Sequence, residues 1–453
     1  MPKKVYLKTF GCQMNVRDSE FVTGLLLEKG FRKAPSIEKA DVILFNSCSV
    51  RKNAEGKLFG NIADLKKLKK SKPDLVVGLI GCTAQSYGSE SFKKAPVIDI
   101  VCGPGNETDL PGLINDVLKN RCAMVALDKV SQKRPELFPK YRESGPKALV
   151  SISEGCDNFC SYCIVPYVRG RERSREPGDI AREVKDLASR GFKEVTLLGQ
   201  NVNSYRVQKK NLKNRSFGSP ILGSPQDDGF VRLLEQLNSI KGIERIRFMT
   251  SHPKDASEDL FKAMRDLEKV CEHLHLPLQS GSDRILKLMN RGYTKAHYSE
   301  LTELYRKYVP GGSITTDIIV GFPSETTRDF DSTLKLLKDI GFDSLYTFKY
   351  SPRPPAKASK LKDSVSKDIK EARLEKLMAV QTGISEKRNM LYNGKVAEVL
   401  VEGKSARSIS GLTGRTRTNK VISFDGDAGL IGKLVNIKIE SVTPYALKGR
   451  IVK

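Results

Sequence analysis

The sequence predicts an α/β protein in which a parallel-sheet domain precedes a partial (β/α)6 barrel and a small closed β-barrel. Apolar runs alternate with helical patterns over residues 1–122, and six larger β–α units follow residue 146. The last part of the chain changes to short β-rich segments punctuated by glycine. We therefore predict domains at 1–122, 147–375 and 376–453, with a Lys, Pro and Glu-rich linker at 123–146.

Three predicted strands of the N-terminal domain end in a cysteine. "KVYLKTFGC", "ADVILFNSC" and "DLVVGLIGC" end at Cys12, Cys48 and Cys82, and "APVIDIVCGPGN" is a fourth candidate strand, with Cys102. The carboxyl ends of parallel strands share one edge of a sheet, where ligands collect. Cys12, Cys48 and Cys82 are expected either to converge on a metal cluster or to be inert buried thiols.

The central region contains six strand candidates, "KALVSISEGC", "EVTLLGQNVNSY", "RIRFMTSHP", "EHLHLPLQSGS", "SITTDIIVGFPSET" and "SLYTFKYSPRP". The chemistry of such a barrel lies at the carboxyl ends of its strands. Polar residues fall there, namely Cys156, Gln200, Asn201, His252, Gln279, Asp317 and Tyr350. Residues 206–229 are predicted to form a surface loop.

The C-terminal segment contains the basic stretch "GRTRTNK", residues 414–420. On a strand, its three cations would alternate toward one face that suits phosphates. A charged edge strand that discourages aggregation is an equally good interpretation.

The charge of the chain indicates a partner rich in phosphate. Lys and Arg total 78 against 53 Asp and Glu, a net charge of +25. A generally solubilising basic surface is the alternative. The N-terminus has no long apolar core and no window reaches a membrane span, so we expect a cytoplasmic protein. Nine cysteines in that reducing compartment indicate metal ligands or buried thiols.

Cys156, Cys160 and Cys163 form a C-x3-C-x2-C pattern directly after the first barrel strand. Thiolates suit iron–sulfur clusters, zinc or Cu(I), and a structural zinc site generally needs a fourth ligand that is missing nearby. An incomplete zinc site or three buried thiols is the alternative. Three ligands on a cubane cluster leave one iron open to a small chelating molecule.

This triplet, with Tyr162 before its last cysteine, resembles the signature of the radical S-adenosylmethionine enzymes. The resemblance implies a [4Fe-4S] cluster whose fourth iron is chelated by the amino and carboxylate groups of S-adenosylmethionine. Reductive cleavage of that cofactor then gives a 5′-deoxyadenosyl radical, and the reaction needs an electron donor.

"TFGCQMNVRDSE", "NSCSVR" and "GLIGCTAQ" resemble the cysteine motifs of the methylthiotransferases, and the C-terminal module is similar to the TRAM domain. The resemblance implies that Cys12, Cys48 and Cys82 hold a second, auxiliary [4Fe-4S] cluster whose sulfur is consumed. It also implies two cofactor molecules per turnover, one for methylation of that sulfur and one for radical formation.

Within that family, four stretches resemble the branch that methylthiolates C2 of N6-dimethylallyladenosine in the anticodon stem-loop of tRNA. They are "GCDNFCSYCIVPYVRGRERSR", "LPLQSGSDRILKLMNRGYT", "DIIVGFPSET" and "YSPRPPAKA". Rival substrates are threonylcarbamoyl-adenosine in tRNA and a ribosomal protein aspartate, and a non-catalytic iron–sulfur RNA-binding protein is a further alternative. We expect a monomer. Ser324 departs from the family pattern, which has glycine there, and hints at a slightly different turn.

Six further residues are predicted to contact S-adenosylmethionine. Gln200 and Asn201 are expected at its methionine portion, Gln279 and Ser280 at its ribose, and Gly321 and Tyr162 at its adenine. For the polar residues, local strand-end caps are the alternative. His252 and His275 are expected to be structural hydrogen-bonding residues.

The arginines that leave the second cysteine loop are predicted to contact the backbone of the RNA. They alternate with other residues and are Arg169, Arg171, Arg173 and Arg175. One or two of them are expected to pair instead with Glu172, Glu176 or nearby acids.

Overall fold

The structure of the protein is a computed structural model that describes residues 2–49, 52–127, 138–206, 228–405 and 411–452. The chain divides into two compact units. The first comprises Met1–Glu143, Glu154–Arg173 and Arg353–Ala356, and the second comprises the stretches Ser144–Ser153, Ser174–Pro352 and Lys357–Lys453. The loop that carries the second cysteine triplet is therefore part of the N-terminal unit.

A six-stranded sheet forms the centre of the first unit. Its strands are β1 (Lys4–Phe10), β2 (Arg32–Lys33), β3 (Val42–Ser47), β4 (Val76–Ile80), β5 (Ile100–Cys102) and β6 (Met124–Ala126). All neighbouring strands are parallel, in the order β2-β1-β3-β4-β5-β6. The helices are α1 (Gln13–Glu28), α2 (Lys52–Ser71), α3 (Cys82–Tyr87), α4 (Glu90–Lys94) and α5 (Leu110–Asn120). The predicted parallel sheet is confirmed, and apolar clusters cover both of its faces.

The sixth strand differs from the prediction. Met124–Ala126 pairs with Ile100–Cys102, although residues 123–146 were predicted to be a linker. The strand has three residues and none of them is buried, so its sequence lacks the apolar run that marks the other strands. Residues 128–137 of that linker lie outside the described residues.

Six parallel strands form the barrel part of the second unit. They are β7 (Lys147–Ser151), β10 (Glu194–Leu198), β11 (Arg245–Met249), β12 (His273–His275), β13 (Ser313–Val320) and β14 (Ser344–Lys349). They pair as β11-β10-β7 and β12-β13-β14, and a parallel bridge from Ile246 to Val270 joins β11 to the segment before β12. A single apolar core fills the interior. The predicted partial barrel is confirmed.

Helices and two short elements complete this region. The helices are α6 (Val165–Val168), α7 (Pro177–Ser189), α8 (Gly229–Asn238), α9 (Glu258–Asp266), α10 (Asp283–Leu288), α11 (Lys295–Tyr308) and α12 (Thr327–Ile340). The short strands β8 (Ser153–Glu154) and β9 (Arg173–Ser174) pair with each other. The predicted surface loop at 206–229 lies outside the described residues, apart from residues 206, 228 and 229.

A long helix and a closed five-stranded barrel form the C-terminal part of the second unit. The helix α13 (Lys367–Met390) is continuous across the predicted domain boundary at 375/376. The barrel consists of β15 (Val396–Lys404), β16 (Gly411–Thr416), β17 (Val421–Asp425), β18 (Leu434–Val442) and β19 (Leu447–Val452), closed in the order β15-β16-β17-β19-β18. The predicted small β-barrel is confirmed.

The basic stretch 414–420 does not continue as one strand. The strand ends at Thr416, and Arg417 instead donates to both carboxylate oxygens of Glu272, with nitrogen–oxygen distances of 2.6 to 3.0 Å. Lys420 forms an ion pair with Asp343 at 2.8 Å. These two cations join the small barrel to the central region of its own unit, so the interpretation as an alternating phosphate-binding face is wrong for them.

Ser324 has a left-handed backbone conformation, with φ of +69°. Glycine adopts this conformation without steric cost, which explains why a glycine would suit this turn. Ser324 keeps this conformation while its N–H donates to Ser364 Oγ and its carbonyl accepts from Arg284.

Within the described residues, no helix combines the length and the apolar character needed to cross a bilayer.

Candidate functional site: two cysteine triplets in one unit

Cys12, Cys48 and Cys82 follow three adjacent strands of the sheet, β1, β3 and β4. The loops after β1 and β3 approach closely, since a Cβ atom added at Gly11 would lie 2.7 Å from Cys48 Cβ. The side chains of Cys12 and Cys48 are hydrogen-bonded to each other. The parallel topology thus brings the three cysteine-bearing turns to one edge of the sheet.

Two buried asparagines support these turns. Asn15 Oδ1 accepts from the Cys12 N–H at 3.3 Å, and Asn15 Nδ2 donates to Asn46 Oδ1 at 3.1 Å. Asn46 returns a hydrogen bond to the Asn15 carbonyl at 2.9 Å and also donates to Ser19. The network fixes the start of α1 against the end of β3. Sequence reasoning missed both asparagines, although each lies two or three positions from a cysteine.

The thiols of this triplet differ in acidity. The hydrogen bond with Cys48 lowers the pKa of Cys12 to about 6, with a further contribution from the cation of Arg169, while burial of the sulfur acts in the opposite direction. Burial raises the pKa of Cys82, and Arg169 partly offsets that effect. One guanidinium therefore favours the thiolate, the form that ligates metal, at two positions of the triplet.

The second triplet lies on a compact loop. The Cys156 N–H donates to the Gly170 carbonyl at 3.1 Å, and the Cys163 N–H donates to the Cys160 carbonyl at 2.9 Å. Gly155 has φ of +77°, and a Cβ atom there would lie 2.1 Å from the Arg171 carbonyl oxygen, so glycine is required for this close approach. Burial raises the pKa of Cys156 to about 11.

The two triplets lie close together within the first unit. Cys82 packs in one apolar cluster with Ile164, which follows Cys163, and with Val168. Arg169 Nε donates to Cys82 Sγ at 3.2 Å, and Arg169 Nη2 donates to Asp18 Oδ2 at 2.5 Å. The loop of the second triplet thus contacts a cysteine of the first.

This placement corrects the prediction that Arg169 binds the RNA backbone. Its side chain is 3% exposed and is paired inside the protein, so it offers no cation to solvent. Arg175 also differs from the prediction, because it donates to the Ser151 carbonyl at 2.6 Å and pairs with Glu183 at 2.7 Å, with 10% of its side chain exposed.

The other two arginines remain accessible. Arg171 is 72% exposed, pairs with Asp157 at 2.7 Å and lies over the Phe159 ring at 5.2 Å. Arg173 lies 3.8 Å from Glu154 and is 27% exposed. Their contact with RNA stays a prediction.

Three residues predicted to contact S-adenosylmethionine carry buried amide oxygens without a hydrogen-bond partner among the described residues. They are Gln200 Oε1, Asn201 Oδ1 and Gln279 Oε1. Asn201 Nδ2 donates to Asp255 at 2.7 Å, which fixes the orientation of that amide. Buried oxygens that lack a donor inside the protein suit a ligand that brings amino or hydroxyl groups. Local capping does not account for these oxygens.

The other three residues predicted to contact S-adenosylmethionine are Ser280, Gly321 and Tyr162, and their surroundings differ. Ser280 Oγ accepts from the Ser282 N–H at 3.3 Å and is buried. The Gly321 N–H donates to Glu325 at 2.7 Å, and a Cβ atom at this position would lie 2.3 Å from Lys370 Cγ, so glycine leaves room for the lysine side chain. The role of Gly321 at the adenine stays a prediction. Tyr162 is half-buried, and its role stays a prediction.

The two histidines at strand ends are held by hydrogen bonds, as expected for structural residues. His252 Nδ1 accepts from the Lys254 N–H at 3.2 Å, and burial lowers the pKa of His252 to about 2. His275 Nδ1 lies 3.0 Å from Thr315 Oγ1. A pKa this low keeps His252 neutral at physiological pH.

The donor sets fit the groups that the sequence predicts. Among the described residues, no three His, Cys, Asp or Glu side chains are arranged around a single metal ion. Cysteines that hold a cubane cluster each bind a different iron atom, so their sulfur atoms need not surround one common point. Two sets of three thiols, with a buried cation beside one of them, match the chemistry of cluster ligands.

Three family descriptions match the chain. The radical SAM superfamily matches residues 150–337, the uncharacterized protein family UPF0004 matches residues 4–103, and the TRAM domain matches residues 391–452. Among solved structures, the radical S-adenosylmethionine methyltransferase TsrM of Kitasatospora setae has a TM-score of 0.56 at 14% identity. That match covers 79% of this chain and 75% of the other, and it shows the shared fold.

Relatives named tRNA-2-methylthio-N(6)-dimethylallyladenosine synthase match almost the whole chain. The one from Thermoanaerobacter sp. (strain X514) is 48% identical over 450 residues, covering 99% of this chain and 92% of its own. The one from Acetivibrio thermocellus is 47% identical over 456 residues, covering 100% and 92%. By this identity, and by its radical SAM and TRAM regions, the chain belongs to the family of tRNA-2-methylthio-N(6)-dimethylallyladenosine synthases.

Proposed function

We propose that this protein transfers a methylthio group to C2 of N6-dimethylallyladenosine in the anticodon stem-loop of tRNA. The observation that carries the proposal is the pair of cysteine triplets within one compact unit, where Cys82 packs against Ile164 and accepts a hydrogen bond from Arg169. One triplet alone would suit many radical reactions, but sulfur insertion needs a second cluster that supplies sulfur.

The chemistry explains the need for both sites. C2 of an adenine is an unactivated aromatic carbon without an acidic proton, so general acid–base catalysis has little effect on it. When bound, a cluster and S-adenosylmethionine at Cys156, Cys160 and Cys163 supply radical chemistry, and a cluster at Cys12, Cys48 and Cys82 supplies the sulfur. The protein holds and orients these groups.

The chain's own residues have distinct tasks in this proposal. Gln200, Asn201 and Gln279 accept hydrogen bonds from the amino and hydroxyl groups of S-adenosylmethionine through their unpaired oxygens. Arg171, the most exposed of the four loop arginines, contacts RNA phosphates beside the second triplet. We also propose a monomer that works in the cytoplasm with an external electron donor.

Loss of the enzyme is expected to remove one modification from tRNA. Nucleosides from a deletion strain should lack the 2-methylthio group while N6-dimethylallyladenosine accumulates, and the gene carried on a plasmid should restore the product. Mass spectrometry of digested tRNA measures both. Loss of 2-methylthio-threonylcarbamoyladenosine instead would point to the rival tRNA substrate, and unchanged nucleosides with an unmodified ribosomal protein would point to the protein substrate.

The two accessible arginines are expected to contribute to tRNA binding. Replacing Arg171 and Arg173 together with glutamine removes two cations, so affinity should fall and the slope of log K against log salt should decrease by up to about 2. Fluorescence anisotropy with an anticodon stem-loop over a salt series measures the slope. Arg182→Gln, which removes an exposed arginine from the second unit, serves as the matched control. An unchanged slope in the double variant would place the RNA elsewhere.

A further inference from the structure

The guanidinium of Arg169 occupies an unusual position for a cation. It is 3% exposed, and two of its three nitrogens are engaged, with Nε donating to Cys82 Sγ and Nη2 donating to Asp18. The third, Nη1, is buried and has no hydrogen-bond partner among the described residues. A buried arginine is costly unless each of its donors is satisfied, so a missing acceptor is expected at Nη1.

The backbone holds this side chain in place. The Arg169 N–H donates to the Val165 carbonyl at 2.8 Å at the end of α6. The preceding residue, Val168, packs with Ile164 against Cys82. Arg169 lies six positions after Cys163, so the loop that carries the second triplet also delivers this cation to the first.

Two carboxylates lie beside the two buried cations at this position. Asp18 is 4% exposed in its side chain, accepts from Arg169 and lies 3.7 Å from Arg17, while Glu154 lies 4.0 Å from Arg17 and also interacts electrostatically with Arg169. Neither carboxylate provides an acceptor for Arg169 Nη1 among the described residues. A thiolate at Cys82, together with the sulfides of a bound cluster, would supply the further negative charge that Arg169 faces.

We propose that Arg169 is a positioning residue for the auxiliary cluster. Its Nε holds the Cys82 thiolate, and its Nη1 donates to a sulfur atom of the cluster. Hydrogen bonds to cluster sulfurs and nearby positive charge stabilise the reduced form, so Arg169 raises the reduction potential of this cluster. This inference rests on the proposed function, because it requires a cluster at Cys12, Cys48 and Cys82.

The test uses the full chain with Cys156, Cys160 and Cys163 replaced by alanine, so that only the auxiliary cluster is present. After anaerobic reconstitution, iron and sulfide are quantified, and the midpoint potential is measured by a redox titration followed by electron paramagnetic resonance. We expect Arg169→Met to shift the midpoint to a more negative value and to change the spectrum of the reduced cluster. Arg182→Met, which replaces an exposed arginine of the second unit, should leave both unchanged.

Arg169→Lys covers the possibility that Arg169→Met does not fold, as judged by circular dichroism. Lysine keeps the charge but lacks the planar set of donors, so its midpoint should lie between those of the parent and the methionine variant, or below the parent if only lysine folds. The parent in this test is the triple-alanine protein that retains Arg169. Variants with the iron content of this parent and an unchanged midpoint potential would overturn the role of Arg169 alone. A parent that binds no iron would overturn the proposed function as well.

Discussion

Replacing Cys156, Cys160 and Cys163 together with alanine is expected to abolish both cleavage of S-adenosylmethionine and methylthiolation of tRNA. The three thiols are the protein ligands that leave one iron open for the cofactor, and no other residue type in the described loop can replace a soft ligand. The 5′-deoxyadenosine signal should therefore fall to the level measured without enzyme. Iron should fall from about eight to about four atoms per chain.

The measurement is anaerobic incubation with dithionite, S-adenosylmethionine and tRNA substrate, with 5′-deoxyadenosine and modified nucleosides quantified by mass spectrometry. Cys122→Ala is the matched control, because Cys122 is exposed and belongs to neither triplet. Its iron content and product yield should equal those of the parent. If the parent itself forms no 5′-deoxyadenosine, a non-catalytic iron–sulfur RNA-binding protein becomes the better interpretation.

The sequence was sufficient to predict most of the fold because its strands carry a strong local signal. Val42–Ser47 and Val76–Ile80 are buried along their whole length, and the mostly apolar runs that they contain are typical of strands covered on both faces. Met124–Ala126 has no such run and forms a strand by pairing with Ile100–Cys102. Pairing of this kind is a tertiary effect that local patterns do not record.

The cysteine positions could be predicted, but the electrostatics around them could not. The topology rule places Cys12, Cys48 and Cys82 at one edge of a parallel sheet once their strands are recognised. Arg169 instead belongs to an alternating basic stretch that suggests solvent and RNA. Its acidic partner, Asp18, is 151 residues away in the chain, so only the folded structure reveals the pairing.

The same limit applies to the basic stretch of the small barrel. Arg417 pairs with Glu272, and Lys420 pairs with Asp343, both in the central region of the same unit. Charge patterning therefore predicts the presence of cations, whereas burial and pairing decide which of them remain available to a phosphate. Of the four loop arginines, Arg169 and Arg175 are 3% and 10% exposed in their side chains, whereas Arg171 and Arg173 are 72% and 27% exposed, although each of these also lies beside a carboxylate.

Replacing Cys12, Cys48 and Cys82 together with alanine should separate the two half-reactions. Radical formation depends on the other triplet, so 5′-deoxyadenosine should still form, while 2-methylthio product should be undetectable because no sulfur source is bound. Iron should fall to about four atoms per chain, as in the first variant. The pair of variants would then have equal iron content but opposite behaviour toward S-adenosylmethionine.

Comparing the two triple-alanine variants therefore shows which triplet supports cleavage of S-adenosylmethionine and which supplies the sulfur. The same anaerobic assay applies, with Cys122→Ala again as the control, and far-UV circular dichroism checks that the sheet edge still folds. Alanine removes the hydrogen bond between Cys12 and Cys48 and leaves Arg169 without its sulfur partner, so some loss of stability is expected. A folded variant that still makes the methylthio product would show that the sulfur comes from elsewhere, because the only cluster left would be the one that cleaves the cofactor.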